Sequence, residues 1–154
     1  IDPPRVRITG RTSYFLSAFG EHMIAEEIEI AAAKAAGDLG VHIVDYSVGA
    51  VYPGDDRPVG GHLYVMELAA AAPDGFAEKF APLVDDQLRD GNKDYRAHRS
   101  DGFGMAMPEI KVVPPGTFAG WMKSRGRLGG QNKVPRIIND QDLFQNLRDF
   151  ANQA

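Results

Sequence analysis

Cysteine is absent from the 154 residues. Its absence excludes a disulfide framework, a thiolate nucleophile and a Cys-type zinc site, and it fits a reducing compartment. Histidine is scarce, and the four present, His22, His42, His62 and His98, show none of the paired spacings that hold a metal, so no metal site is expected. No apolar run approaches the roughly 20 residues a membrane span needs, and no signal-peptide pattern is found. These absences lead to the expectation of a soluble, cytoplasmic protein with no membrane partner. Net charge is −4, whereas general nucleic-acid binding rests on an extended basic surface, so no nucleic-acid partner is expected. The most informative absence is local. Between Ile110 and Asn139 there is no carboxylate but there are six basic residues, Lys111, Lys123, Arg125, Arg127, Lys133 and Arg136; the remainder holds 11 basic and 21 acidic residues. Such sorting concentrates positive potential where an anion is handled. The stretch includes Gly129-Gly130-Gln131-Asn132-Lys133-Val134-Pro135-Arg136, a Gly-rich, proline-stiffened loop suited to presenting one positioned charge.

What is present describes a single domain, residues 1–154, with one core, since 44% of the residues are hydrophobic. Val6-Arg7-Ile8-Thr9 alternates at a period of two, and with Ser13-Tyr14-Phe15-Leu16 it predicts two short strands around Gly10-Arg11-Thr12. Ile28, Ala31, Ala32 and Ala35 share a face and predict a helix from Ala25 to Ala36, with Gly37 as its stop. Val41 to Val51 and Gly61 to Leu68 are β-rich runs joined by a Pro- and Gly-containing loop too short for a crossover, so they should pair as an antiparallel hairpin. Phe76, Phe80, Leu83, Val84 and Leu88 predict a helix to about Asp90, with Pro82 either a kink or a fresh start. A turn or short helix at Asn92 to Arg99, a strand at Glu109 to Val113, a helix capped by Thr117 and a last helix capped by Asp140 follow. The expected class is α+β, with helices packed on a mainly antiparallel sheet.

Gly10-Arg11 and the bend ending at Gly20 flank a strand, an arrangement that can bring Arg11 and His22 toward a common site. By themselves they read first as a surface arginine and a histidine near a helix start. Together, Gly10-Arg11, Gly20 and Glu27-Ile28-Glu29 resemble the linker and first helix of the C-terminal domain of adenylate-forming enzymes. Those enzymes also end in a lysine followed three positions later by arginine, the form of Lys133-Val134-Pro135-Arg136. A narrower resemblance rests on Tyr64-Val65-Met66-Glu67-Leu68, Asn92-Lys93-Asp94-Tyr95-Arg96, Pro108-Glu109-Ile110-Lys111-Val112-Val113, Gly116-Thr117-Phe118 and Gln131-Asn132-Lys133-Val134-Pro135-Arg136. It is to the C-terminal domain of the auxin-responsive promoter family, also called Gretchen Hagen three, whose members are acyl acid amido synthetases.

The resemblance implies a domain of a longer ligase, as does an opening, Ile1-Asp2-Pro3-Pro4-Arg5, with no initiator methionine. It implies a large N-terminal domain as partner, ATP and Mg²⁺ bound mainly by that domain, and activation of a small carboxylic acid as its acyl adenylate before transfer to an amine, an amino acid by analogy. Lys133 takes the catalytic position, Arg11 and His22 the nucleotide-contacting positions, and Ser13 the hinge. The isolated domain is expected to be inactive. His22 departs from the family, whose plant members carry lysine there, and a histidine is only partly charged near neutral pH. Ser13 stands where a charged residue is common. The alternative reading is a non-catalytic α+β module that binds a small anion or a protein partner through the basic stretch.

Overall fold

The computed structural model describes residues 15–100, 104–126 and 133–153. Within them β1 (Phe15–Leu16) and β2 (Met23–Ile24) form a small antiparallel ribbon that leads into α1 (Ala25–Leu39). β3 (Ile43–Val51) and β4 (Gly61–Leu68) follow as the expected antiparallel hairpin. Next come α2 (Phe76–Gly91) and α3 (Lys93–Ser100), β5 (Glu109–Val113), α4 (Thr117–Ser124) and α5 (Gln141–Gln153). The class is α+β as expected. Of the two strands expected around Gly10-Arg11-Thr12, the first (6–9), the turn and the first two residues of the second (13–16) lie outside the described residues.

The main sheet has the order β3-β4-β5, and it is mixed: β5 lies parallel to β4, with Leu63 opposite Glu109 and Glu67 opposite Val113. A parallel return needs a long connection, and α2 with α3 supplies it. A second parallel contact extends the sheet beyond β3. The Val48 N–H donates to the Arg136 carbonyl (2.7 Å), and the Ile138 N–H donates to the Val48 carbonyl (2.9 Å). Residues 136–138 therefore act as a strap along the outer edge of β3.

Every residue of β4 is buried, because helices cover both faces of the sheet. Tyr64, Met66 and Leu68 point with Val48 and Ile137 into a core under α1 and α2; Leu63 and Val65 point with Ile138 into a second core under α4 and α5. The alternation of Ile137 and Ile138 between the two cores shows that the strap is packed as a strand would be. On the second face, α5 lies so close that a Cβ on Gly49 would sit 2.6 Å from the Phe144 ring.

Local chemistry differs from the sequence reading at two helix ends. α1 runs through Gly37 and stops at Gly40, whose φ of 68° suits the left-handed cap. Its start is capped by Glu27, whose carboxylate accepts the Ile24 N–H (3.0 Å). Thr117 does not cap α4: its hydroxyl donates to the Pro114 carbonyl (2.6 Å). The cap is Glu67, from β4. Its two carboxylate oxygens accept the N–H groups of Gly116 and Phe118, each at 2.9 Å, which places a negative charge at the positive end of the helix. Asp140 does cap α5, accepting the Leu143 N–H at 3.1 Å, and α2 runs as one helix through Pro82.

Replacing Glu67 with glutamine leaves one oxygen to serve two N–H donors. The expected outcome is a loss of about 1–3 kcal/mol of unfolding free energy, read from urea denaturation, with near-ultraviolet circular dichroism of Trp121 on α4 reporting loosening of that helix first.

Candidate functional site

Lys133 opens the strap, and the residues after it are tied down closely. The Ser47 hydroxyl donates to the Pro135 carbonyl at 2.6 Å, and the Arg136 carbonyl is held by Val48 as described. The Arg136 guanidinium bonds the Asp45 carboxylate (2.6 Å), the Tyr46 carbonyl (2.9 Å) and the Glu29 carboxylate (3.3 Å), and it lies over the Tyr46 ring, 4.4 Å from the centroid. Tyr46 in turn donates its hydroxyl to Glu29 at 2.5 Å. Burial first, then the neighbouring Glu29 carboxylate, push that hydroxyl well above the ordinary phenol range, so it remains a donor. Burial opposes the charge on Arg136, but the bonds and charges of Asp45 and Glu29 outweigh it and stabilise the cation. Arg136 is thus a structural ion-pair arginine. A surface cavity of about 370 Å³ adjoins this cluster, between the alanines of α1 and the start of β3, with Arg136, Tyr46 and Glu29 on its wall.

Lys133 itself is exposed and has no ion-pair or hydrogen-bond partner among the described residues. The other basic residues of the acid-free stretch are dispersed: Lys111 lies on β5, Lys123 on α4, and Arg125 covers the Trp121 ring at 4.8 Å. The stretch is therefore no continuous cationic patch among the described residues.

His22 sits in the tight bend between β1 and β2. Its side chain is exposed, edge-on to Phe15 with ring centroids 6.0 Å apart. Its φ of 49° is unusual for a residue with a side chain, and its carbonyl is held by the Asn92 amide at 3.0 Å. The bend is pinned to the core by the preceding residue. Glu21 accepts the Phe19 N–H at 2.8 Å and faces His62 Nε2 at 2.5 Å, with both side chains fully buried. Burial raises the Glu21 carboxyl's pKa, but the hydrogen bond and charge of His62, with backbone N–H donors, more than reverse this, leaving it below its ordinary value of 4.5. The bend also meets the strap, since the Asn139 amide donates to the Phe15 carbonyl at 2.8 Å.

The link between the ribbon and the strap is thus at Asn139, six residues beyond Lys133, and no bond joins the His22 and Lys133 side chains. Arg11 and Ser13 lie outside the described residues. Tyr95 and Arg99 fasten α3 to α2: both hold buried Asp85, at 2.7 Å and 2.8 Å. Sequence reading missed Glu21, Asp45 and Glu67 as partners. The only available signal was a carboxylate and an imidazole within otherwise apolar β4, which a fully buried strand must satisfy internally.

Among the described residues no group of three or more His, Asp or Glu side chains gathers as a metal site, and no helix is long and apolar enough to cross a membrane. What the geometry defines is an α+β domain that displays an exposed lysine on an anchored edge strap. Residues 26–142 match the model of the GH3 family C-terminal domain, and the chain belongs to that family. In fold it is similar to a solved GH3.15 acyl acid amido synthetase, with TM-score 0.68 and 23% identity over 83% of this chain and 24% of that one. It is similar as well to the structure described as AtGH3.15 acyl acid amido synthetase in complex with 2,4-DB, with TM-score 0.72 and 22% identity over 88% of this chain and 25% of that one. The chain spans about a quarter of the length of these structures. No protein of curated function matches it.

The buried Glu21–His62 pair makes a sign-specific prediction. Because the folded pKa of Glu21 lies below the unfolded one, its contribution is complete above about pH 4.5 and is lost as pH falls through the lower folded value. Glu21→Ala, which leaves His62 buried beside an empty place, is expected to cost roughly 3–5 kcal/mol at neutral pH and to flatten the acid limb of stability against pH in urea titrations.

Proposed function

We propose that this chain is the C-terminal domain of an ATP-dependent acyl acid amido synthetase, and that Lys133 supplies the cation that stabilises adenylate formation. In that reaction a carboxylate of the acid attacks the α-phosphate of ATP, the bond to pyrophosphate breaks, and the acyl adenylate later yields its acyl group to an amine. Negative charge gathers on the phosphoryl oxygens and the attacking oxygen in the transition state. A fixed cation there lowers the barrier because it interacts more strongly with the transition state than with the ground state.

The observation that carries this reading is the combination at Lys133: an exposed ammonium, free of any acidic partner among the described residues, three positions from a backbone locked to β3. A lysine suits the task as a compact point charge on a flexible stem. Family membership and the fold likeness to acyl acid amido synthetases support the reaction class. His22 and Arg11 take nucleotide-contacting places in this reading, with Ser13 at the hinge, and the acyl and amine pockets belong to the large domain. Mg²⁺ bound with ATP is held largely by the phosphates, water and one or two carboxylates, and in this reading those carboxylates would belong to the large domain.

The test is pyrophosphate exchange by the full-length protein over a panel of carboxylic acids. Lys133→Ala is expected to slow exchange on the order of 10²–10³-fold, the range for removing one positioned transition-state stabiliser, while leaving the melting temperature unchanged because Lys133 is exposed and bonded to no other described residue. Exchange at the unmodified rate would remove Lys133 from the chemistry. The domain alone is expected to release no pyrophosphate.

A further inference from the structure

We propose that Arg136 is a positioning residue that keeps Lys133 free, by occupying the two carboxylates that would otherwise capture it. The inference rests on the reading of Lys133 given above, but its own content is electrostatic. Asp45 and Glu29 both point at Arg136. Lys133 stands three residues earlier, and three extended residues span only about 10 Å. Counting back along the strap from the parallel pairing of Ile137 with Val48 sets Lys133 beside the first residues of β3, the end of the strand that carries Asp45. Left unpaired, half-buried Asp45 and exposed Glu29 would be open to a salt bridge with the ammonium. The charge of Lys133 would then be neutralised and its direction turned inward.

Arg136 prevents this more completely than a lysine in its place. Its planar fork meets Asp45 and the Tyr46 carbonyl through one nitrogen and Glu29 through another, and its face rests on the Tyr46 ring; an ammonium has neither the fork nor the flat face. Tyr46 adds a second donor to Glu29. The arrangement also explains each member of Glu27-Ile28-Glu29. Glu27 caps α1, Ile28 is fully buried in the core, and Glu29 reaches across to Arg136. The helix motif and the Lys133 to Arg136 motif are therefore one assembly, joined through a single guanidinium.

The experiment uses the full-length protein and two independent readouts. In pyrophosphate exchange, Arg136→Ala is expected to lower the rate severalfold, the scale of competition from a solvent-accessible ion pair. In a Lys133→Ala background the same change is expected to cost nothing further, because Arg136 acts only through Lys133. Adding Asp45→Asn and Glu29→Gln to Arg136→Ala should recover most of the lost rate, which a purely structural role for Arg136 would not allow. The second readout is acetylation of Lys133 by acetic anhydride, followed by peptide mass spectrometry. Arg136→Ala should slow it severalfold, Arg136→Lys less, and removal of the two acids should restore it. Independent, multiplying losses in the double variant, or failure of the acid-free variant to recover either readout, overturns the proposal. If Lys133→Ala leaves exchange unchanged, the catalytic reading fails, and the acetylation result still decides whether Arg136 guards the lysine.

Discussion

Burial of β4 on both faces is the constraint from which the rest of the arrangement follows. A strand with no exposed residue has nowhere to hydrate a polar side chain, yet this one carries His62 on one face and Glu67 on the other. A buried imidazole or carboxylate without a partner is costly, so each face must deliver one. On the α1 face the partner is Glu21, and meeting His62 fixes the bend that holds His22. On the opposite face the partners are the first N–H groups of α4, and meeting Glu67 fixes where that helix starts. Two elements far apart in sequence are thus placed by the polar demands of one strand. The β1–β2 ribbon has only two residues per strand, too few to hold itself, and depends on that anchor.

The strap obeys the same logic at the sheet edge. Among the described residues its backbone is paired at one bridge, to Val48, and an edge contact this short is weak by itself. Packing of Ile137 and Ile138 into separate cores and the Ser47 bond to the Pro135 carbonyl supply the remaining hold. The division of labour between two cations three residues apart is clear in their surroundings. Arg136 has two carboxylates, a carbonyl and an aromatic face; Lys133 is exposed and is bonded to no other described residue.

The strings that carry the family resemblance acquire physical meaning as joints. Tyr64 to Leu68 and Gly116-Thr117-Phe118 are two halves of one contact, through Glu67. Asn92, at the head of its string, accepts the Tyr95 N–H with its side-chain oxygen and gives its amide to the His22 carbonyl and to Glu27, so it caps α3 while bracing the bend. Most of the quoted residues are thus accounted for by folding alone. This explains how a chain only 22–23% identical to the solved amido synthetases keeps their fold, and why the strings by themselves say little about which acid or amine is used.

What the sequence determined by itself is whatever short-range chemistry decides. The 3.6-residue periodicity placed α1, α2 and α5, β-rich runs around a Pro- and Gly-containing loop gave the β3–β4 hairpin, and Asp140 announced its own cap because donor and acceptor lie within one turn. The sorting of charge singled out the region of Lys133 for the same reason, since composition is read without coordinates. Only the tertiary structure decided that β5 returns parallel, that residues 136–138 close the sheet edge, that Glu67 rather than Thr117 caps α4, and which carboxylates hold Arg136 and His62. Those choices join residues 41 to 107 positions apart. No local pattern encodes such pairings. They are fixed when the two cores close around β4 and each buried or edge charge must find the nearest group that satisfies it.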